Sequence, residues 1–464
     1  MRSLFSGVSG LKSHQTRMDV IGNNIANVNT TGFKSSRVTF ADTLSQTMTG
    51  ASSPNGTLGG TNPKQVGLGT GVASVDLLFT NGSVQSTGKN TDLCLSGNGL
   101  FVVKQGNQTY YTRDGAFEFD AEGNYVLPGS GLFVQGWMAN DGSLNTTGAV
   151  TNIQIAAGKS MASKATTTAT YTGNLNASSS LIKSISYTNP SGTSQNITAG
   201  AITIGGTSGN KSATITLVDG TTQSVTEGTY TVGHSMPVTT TVTAYDSLGA
   251  KHNVPVLFEK TGENTWTALL AKTTINEDDG STTTLAITPG TIKFTASGAP
   301  DASMSNGSID LTLHNGASSM TVSLDYSKLT QYAGSSTINA ATDGNAAGTL
   351  SSVAIDNSGV ITGTYTNGVK QTEAQVAVAQ FTNASGLTKT GNSLYEESNN
   401  SGTPNVKTAA DLGCTITPSA LEMSNVDIAN EFSDMIITQR GFQSNSKIIT
   451  VGDEMLETMI NMKR

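Results

Sequence analysis

The residues of this 464-residue chain that could do chemistry are few and badly spaced for it. His14, His234, His252 and His314 are scattered, and none has a partner at metal-ligand spacing or within an HExxH string. His14 falls within a helical periodicity without an acid or nucleophile beside it, and reads as a polar packing residue. Cys94 and Cys414 are too few for a disulfide framework or a metal site. Cys94 lies in the apolar run Leu93–Leu95 and reads as a buried free thiol; a Cys94–Cys414 bridge requires that their flanking segments pair. Gly67, Gly69 and Gly71 lack the spacing and the following helix of a phosphate-binding loop. The strings Asp120–Gly123 and Asp356–Gly359 look superficially like calcium loops. They lack the closing glutamate of an EF-hand and fit hairpin turns better. No Gly-x-Ser-x-Gly elbow is present. No catalytic residue, metal or cofactor is expected, and the chain does not read as an enzyme.

Bulk composition points elsewhere. Charged residues make up 12%, about half the ~25% of an average protein, and the formal net charge is −8 with no basic cluster. Nucleic acid and anionic membranes are therefore poor partners. Glycine, serine, threonine and asparagine replace charge, a composition of short strands and tight turns rather than of disorder. No stretch is apolar enough to cross a membrane. The first residues lack the apolar core of a secretory signal. An exterior-like composition without that signal implies another export route.

The elements that must carry function are the two ends. Residues 1–28 place Leu4, Val8, Leu11, Met18 and Ile25 on one heptad seam, interrupted by Gln15 and Gly22. Residues 424–464 repeat Ile428, Met435, Phe442, Ile449 and Leu456 every seventh position. A second column, Phe432, Gln439, Ser446, Asp453 and Ile460, is polar at its centre. A further stripe of Ile448, Met455, Met459 and Met462 opens another apolar face. Ser424, with Asp427 three residues on, forms a capping-box-like start, and Lys463 and Arg464 suit the negative end of the helix dipole. Two long helices pairing in coiled-coil fashion are expected, with apolar faces to spare for self-association.

Between them the period is two. Residues 29–70 read as an extended linker with one short helical turn near Thr39–Ser45. Residues 71–145 and 349–423 carry strong strand runs punctuated by Asn98-Gly99, Asp114-Gly115, Asp141-Gly142 and Asn367-Gly368, and would complete one middle β domain. Residues 146–348 are β-rich but irregular. Their clearest strands are Thr239–Tyr245, Asn253–Glu259 and Thr265–Ala271, with Asp246–Gly249 as a turn. Ser160–Ala169 and Asn276–Thr284 read as exposed loops, and 181–230 with 275–320 as an extra lobe of this outer β domain. The expected fold is mainly β with paired terminal α-helices, a nested multidomain, elongated subunit built of antiparallel β domains.

Specific strings add a resemblance. Asn23, Asn24 and Asn27, followed by Gly32, Phe33 and Lys34, resemble the end of the N-terminal helix of bacterial flagellar rod and hook (axial) proteins. Leu421, Glu422, Asn425 and Asp427, then Gln439 and Arg440, resemble their C-terminal helix. Asp92–Phe101 and Tyr111–Gly115 are similar to strings shared with distal rod proteins. Tyr245–Gly249, Trp266 and Leu329–Gln331 look like the large outer domain of the hook members, as do Thr364–Gly368 and Phe381–Leu387. The resemblance implies a subunit that polymerises with itself into a curved, flexible tube transmitting torque from rod to filament, its terminal helices forming the inner wall. It further implies an extracellular place in the flagellum, reached through the type III export apparatus. The distal rod protein, hook cap, hook–filament junction protein and hook-length ruler would be partners. Some members crosslink subunits through a cysteine in the outer part and a lysine; this chain has no cysteine between 95 and 413, and no such crosslink is expected. The alternatives are a distal rod or junction protein, or a monomeric adhesin or glycan-binding β protein whose terminal helices pair internally.

Overall fold

The computed structural model describes the chain except residues 1, 55, 57–58, 189–193, 199–201, 205–211, 218–219, 227–229, 233–234, 278–279 and 463–464. His234, Lys463 and Arg464 thus lie outside the described residues. The chain forms two compact units. One comprises Met1–Lys159, Leu350–Thr364 and Lys370–Arg464, the other Ser160–Thr349 with Tyr365–Val369.

In the first unit, helix α1 (Arg2–Ala26) lies antiparallel to helix α2 (Ile428–Asn461). Leu4 meets Gly452, Gly7 meets Ile449, His14 meets Gly441 and Arg17 pairs with Asp434 at 3.0 Å, a ladder running in opposite directions along the two helices. Helix α2 starts at Ile428 rather than at Ser424. The Asp427 carboxylate caps it, accepting from the amides of Ala429 at 2.9 Å and Asn430 at 3.3 Å, while the Ser424 hydroxyl accepts only from Val426.

The β body of this unit follows from its apolar alternation. In Gly99–Gln105, Phe101 and Val103 face a core of Leu93, Leu95, Phe117, Tyr125, Val376 and Val378. Leu100 and Val102 face a second cluster with Tyr111, Trp137, Phe381 and Tyr395. Both faces of the strand are covered, which is why the run is continuously apolar. Residues from both ends of the chain complete the body. Val84–Ser86 pairs with Ala420–Glu422, and Leu93–Ser96 with Thr415–Pro418. The helical turn expected near Thr39–Ser45 does not form. Ser36–Asp42 is a strand paired with Thr70–Leu77, and Ser45–Thr49 pairs with Lys64–Gly67. The β-branched and aromatic residues Val38, Thr39 and Phe40 favour the extended form once a partner strand is available.

The second unit holds a four-stranded sheet, Val238–Tyr245, Lys251–Gly262, Thr265–Leu270 and Thr291–Lys293, and a six-stranded one. Trp266, Phe258, Tyr171 and Tyr326 fill the shared core; the Tyr171 and Phe258 rings meet edge to face, centroids 5.1 Å apart. Pairing is antiparallel except that Thr168–Asn176 runs parallel to Met320–Tyr332, which the long intervening excursion of chain permits. Two loop expectations are corrected. Thr168–Asn176 begins inside Ser160–Ala169, and Thr274–Asn276 with Thr282–Thr288 makes Asn276–Thr284 a hairpin. Threonine-rich runs read as low complexity, yet Thr283 and Leu285 are buried while Thr282, Thr284 and Ala286 between and beside them are exposed. Nor does 275–320 stand apart as a lobe. Leu285, Ile292, Phe294, Ile309 and Leu311 belong to the main core, whereas Ile182–Thr188, Ser194–Thr198, Ser212–Leu217 and Thr222–Thr226 form a sheet of their own.

Candidate functional site

The strings at the two ends of the sequence meet where the helix pair joins the β body. Asn24 is buried and spans the joint: its amide nitrogen donates to Ser36 O at 2.8 Å and to Glu431 Oε1 at 2.9 Å, and its oxygen accepts from Ser36 N at 3.0 Å. Asn27 closes α1, donating to Asn23 O and Oδ1. Gly32 then takes φ +64°, with its amide donating to Glu422 O at 2.8 Å. A Cβ at Gly32 would lie 2.4 Å from the Asp114 amide nitrogen, so both conformation and space require glycine. Phe33 is buried beneath the Lys389 ammonium, 3.9 Å from the ring centroid. From the other end, Asn425 accepts from Ser35 N and donates to Leu78 O, both at 2.8 Å.

Under this joint lies a buried ion triad. Glu422, on the strand Ala420–Glu422, accepts from Lys34 Nζ at 2.8 Å through one oxygen and from Arg113 Nη1 at 3.1 Å through the other. The side chains of all three are at most 1% exposed. Backbone groups satisfy most of what remains. Lys34 donates to Thr80 O, Arg113 to Leu95 O and Gly97 O, and Gly82 N donates to Glu422. Burial, and then the Arg113 guanidinium, push Lys34 below the usual lysine range, against the pull of Glu422. The neighbouring Cys94 thiol is pushed up to about 11, first by burial and then by the Glu422 carboxylate. A thiol kept protonated and an amine locked in hydrogen bonds make poor nucleophiles. The arrangement pins the two ends of the chain together.

Comparison with known proteins agrees along the whole chain. Family models match in order: Flagella basal body rod protein over residues 4–34, Flagellar hook protein FlgE/F/G D1 domain over 94–175, Flagellar basal body protein FlaE D2 domain over 233–345, and Flagellar basal body rod FlgEFG protein C-terminal over 417–462. The flagellar hook protein FlgE of Treponema pallidum is 38% identical over the full length of both chains, as is that of Borreliella burgdorferi. The FlgE of Escherichia coli is 32% identical over 98% of each. This chain belongs to the flagellar hook protein family.

The joint accounts for many of the hook-family residues singled out in sequence: Asn23, Asn24, Asn27, Gly32, Phe33, Glu422, Asn425 and Asp427 lie at it, and Leu421 is half-buried on the same strand as Glu422. Gln439 and Arg440 do not. They stand exposed on α2, with Arg440 bonded only to Gln443. Sequence reading of motifs assigned no role to Arg113. Only the Tyr111–Gly115 string hinted at it, and nothing there signalled burial beside Glu422.

The heptad seams divide. Leu4, Leu11, Met18, Ile25, Met435, Ile449 and Leu456 are half-buried, whereas Val8, Ile428 and Phe442 are 40–53% exposed. The helix–helix contact is made largely by small and polar residues instead: Gly7 and Gly10 on α1, and Gly441, Asn445 and Gly452 on α2. Small residues let the backbones approach, leaving apolar side chains to either side of the contact. Phe5, Phe432, Ile436, Ile437, Ile448, Val451, Met455 and Ile460 are therefore exposed as well. Polar Gln439, Ser446 and Asp453 are exposed too.

The candidate chemical residues are absorbed into packing. His14 lies against Gly441 and His314 is exposed. His252 is enclosed between Asp246, at 3.2 Å, and Glu277, at 2.8 Å, on opposite ring nitrogens. Among the described residues, no group of three or more His, Cys, Asp or Glu could hold a metal ion. The segments flanking the cysteines do pair, but the register sets Cys94 opposite Thr417, and both thiols are free and buried. Asp120 and Asp356 spend a carboxylate oxygen on the amides two and four residues on, closing hairpin turns. No described helix is long and apolar enough to cross a membrane.

Proposed function

We infer that this chain is the structural subunit of the flagellar hook and polymerises through the faces of α1 and α2 that its own fold leaves uncovered. One observation carries the reading: Phe432, Ile436, Ile437 and Phe442 stand 40–61% exposed on a helix already paired within its chain. Apolar surface on that scale, on two sides of one helix, is stabilised by burial at about 25 cal/mol per Å² removed from water. A head-to-tail contact that does not close yields an open helical polymer, here a tube whose inner wall is the helix pair. The joint at Lys34, Arg113 and Glu422 would carry torque between that wall and the β units. The wetter outer β surfaces would slide as the tube bends. The distal rod protein, cap, junction protein and length ruler would contact the ends or lumen of the tube, and the type III apparatus would export the subunit. The test is Phe442→Asp in the full-length protein, read by electron microscopy and sedimentation. Polymer should be lost while the β units keep their near-ultraviolet spectrum; curved tubes of normal length from this variant would refute the reading.

A further inference from the structure

Helix α2 outruns its partner. Leu4, near the start of α1, already packs on Gly452, so the last turns of α2 project past the N-terminal end of α1. On these turns Met455, Met459 and Met462 are 57%, 60% and 76% exposed, and their spacing of four and three residues aligns them on one face that continues from Ile448 and Val451. Three exposed methionines on one helical face form a soft, polarizable apolar patch. Such thioethers are also the side chains that peroxides oxidise most readily after thiols, and both thiols of this chain are buried.

We propose that Met455, Met459 and Met462 form an oxidation site that governs whether a free subunit can be added to the polymer. The inference rests on the reading that a second copy of the chain covers this face. The oxidant is a peroxide. A sulfur lone pair attacks one peroxide oxygen, the O–O bond breaks, and the sulfur is oxidised by two electrons to the sulfoxide while hydrogen peroxide is reduced to water. The product carries a strong acceptor oxygen, and burying it against an apolar neighbour leaves that oxygen unpaired. A free subunit is open to the reaction, whereas an assembled one is covered. Oxidation before assembly excludes the subunit; after assembly the same thioethers are protected.

Two arms test this with purified full-length protein. In the first, free and polymerised subunits are exposed to the same dilute hydrogen peroxide, and sulfoxide at each methionine is read by peptide mass spectrometry. The three positions should oxidise at least about tenfold more slowly in the polymer. Equal rates would show that no copy covers the face, overturning the proposal together with the reading beneath it. In the second, a partly oxidised pool is polymerised and pelleted. Sulfoxide at the three positions should be enriched about tenfold or more in the supernatant, the ratio a single lost polar pairing of ~1.4 kcal/mol produces. Treatment with methionine sulfoxide reductases should return those subunits to the pellet. Protection in the first arm with equal partition in the second would overturn the oxidation proposal while leaving the covered face intact.

Discussion

Replacing Glu422 with glutamine removes the carboxylate bonded to two buried cations. Lys34 and Arg113 are each at most 1% exposed, and Glu422 holds both, at 2.8 and 3.1 Å. Glutamine preserves volume and an acceptor for Gly82 N, while the charge is lost and the acceptor facing Arg113 becomes a donor. Breaking a buried ion pair from one side costs about 3–5 kcal/mol, because the partners stay buried without their counter-ion. Two partners share the loss here. Part of it is relieved, because Lys34, already held below the usual lysine range, can shed its proton. The expected destabilisation is therefore about 3–5 kcal/mol and confined to the unit that contains the triad. Hydrogen–deuterium exchange by mass spectrometry on the full-length protein measures it. Amides of Leu93–Ser96 and Ala420–Glu422 should lose protection, while those of Lys251–Gly262 keep theirs. Replacing all three charges together, Lys34→Met, Arg113→Met and Glu422→Leu, should cost less than Glu422→Gln alone, since no charge is left stranded. A single-variant loss under about 1 kcal/mol, or a triple variant weaker than the single, would refute the claim that electrostatics closes the joint.

Other tests address the packing. Cys94, pushed up to about 11 and buried, should resist a thiol reagent at pH 8 in the folded protein and react once denatured; rapid native labelling of Cys94 would contradict its placement. Gly452→Leu should wedge α1 from α2, because even a Cβ there would lie 2.6 Å from Leu4 Cδ2. Overpacking of about 1–3 kcal/mol is expected, read as lost far-ultraviolet helicity and weakened polymerisation, whereas Gly22→Ala, which meets nothing within its own chain, should cost no helicity.

Much of this molecule is legible in the residues themselves. The Asp-x-x-Gly turns at Asp120, Asp246 and Asp356 are local chemistry, a carboxylate accepting from amides two and four residues away, and they form as expected. The strands flanking Asp246 follow from alternation in the same way. Threonine-rich strands such as Thr282–Thr288 were harder, since a buried threonine, Thr283, and the adjacent apolar Leu285, Ala286 and Ile287 hide the period of two that burial follows. The short helix expected at Thr39–Ser45 lost to pairing with Thr70–Leu77, a partner that local propensity does not see.

By itself the sequence determined that this is a β-rich chain with helical ends, that its turns are hairpins rather than ligand loops, and which strings at those ends carry the family likeness. These are properties of neighbours a few residues apart. Tertiary structure decided what faces what. A heptad seam states that a face is apolar but not who covers it. Gly7, Gly10, Gly441 and Gly452, none of them on a seam, are the residues that let α1 and α2 touch, while Val8, Ile428 and Phe442 were left outward. Lys34, Arg113 and Glu422 are ordinary charged residues until the pairing of Val84–Ser86 with Ala420–Glu422 closes water out around them. Burial and register arise only when distant segments meet, and it is there that a charge becomes a lock and an apolar stripe becomes an uncovered surface.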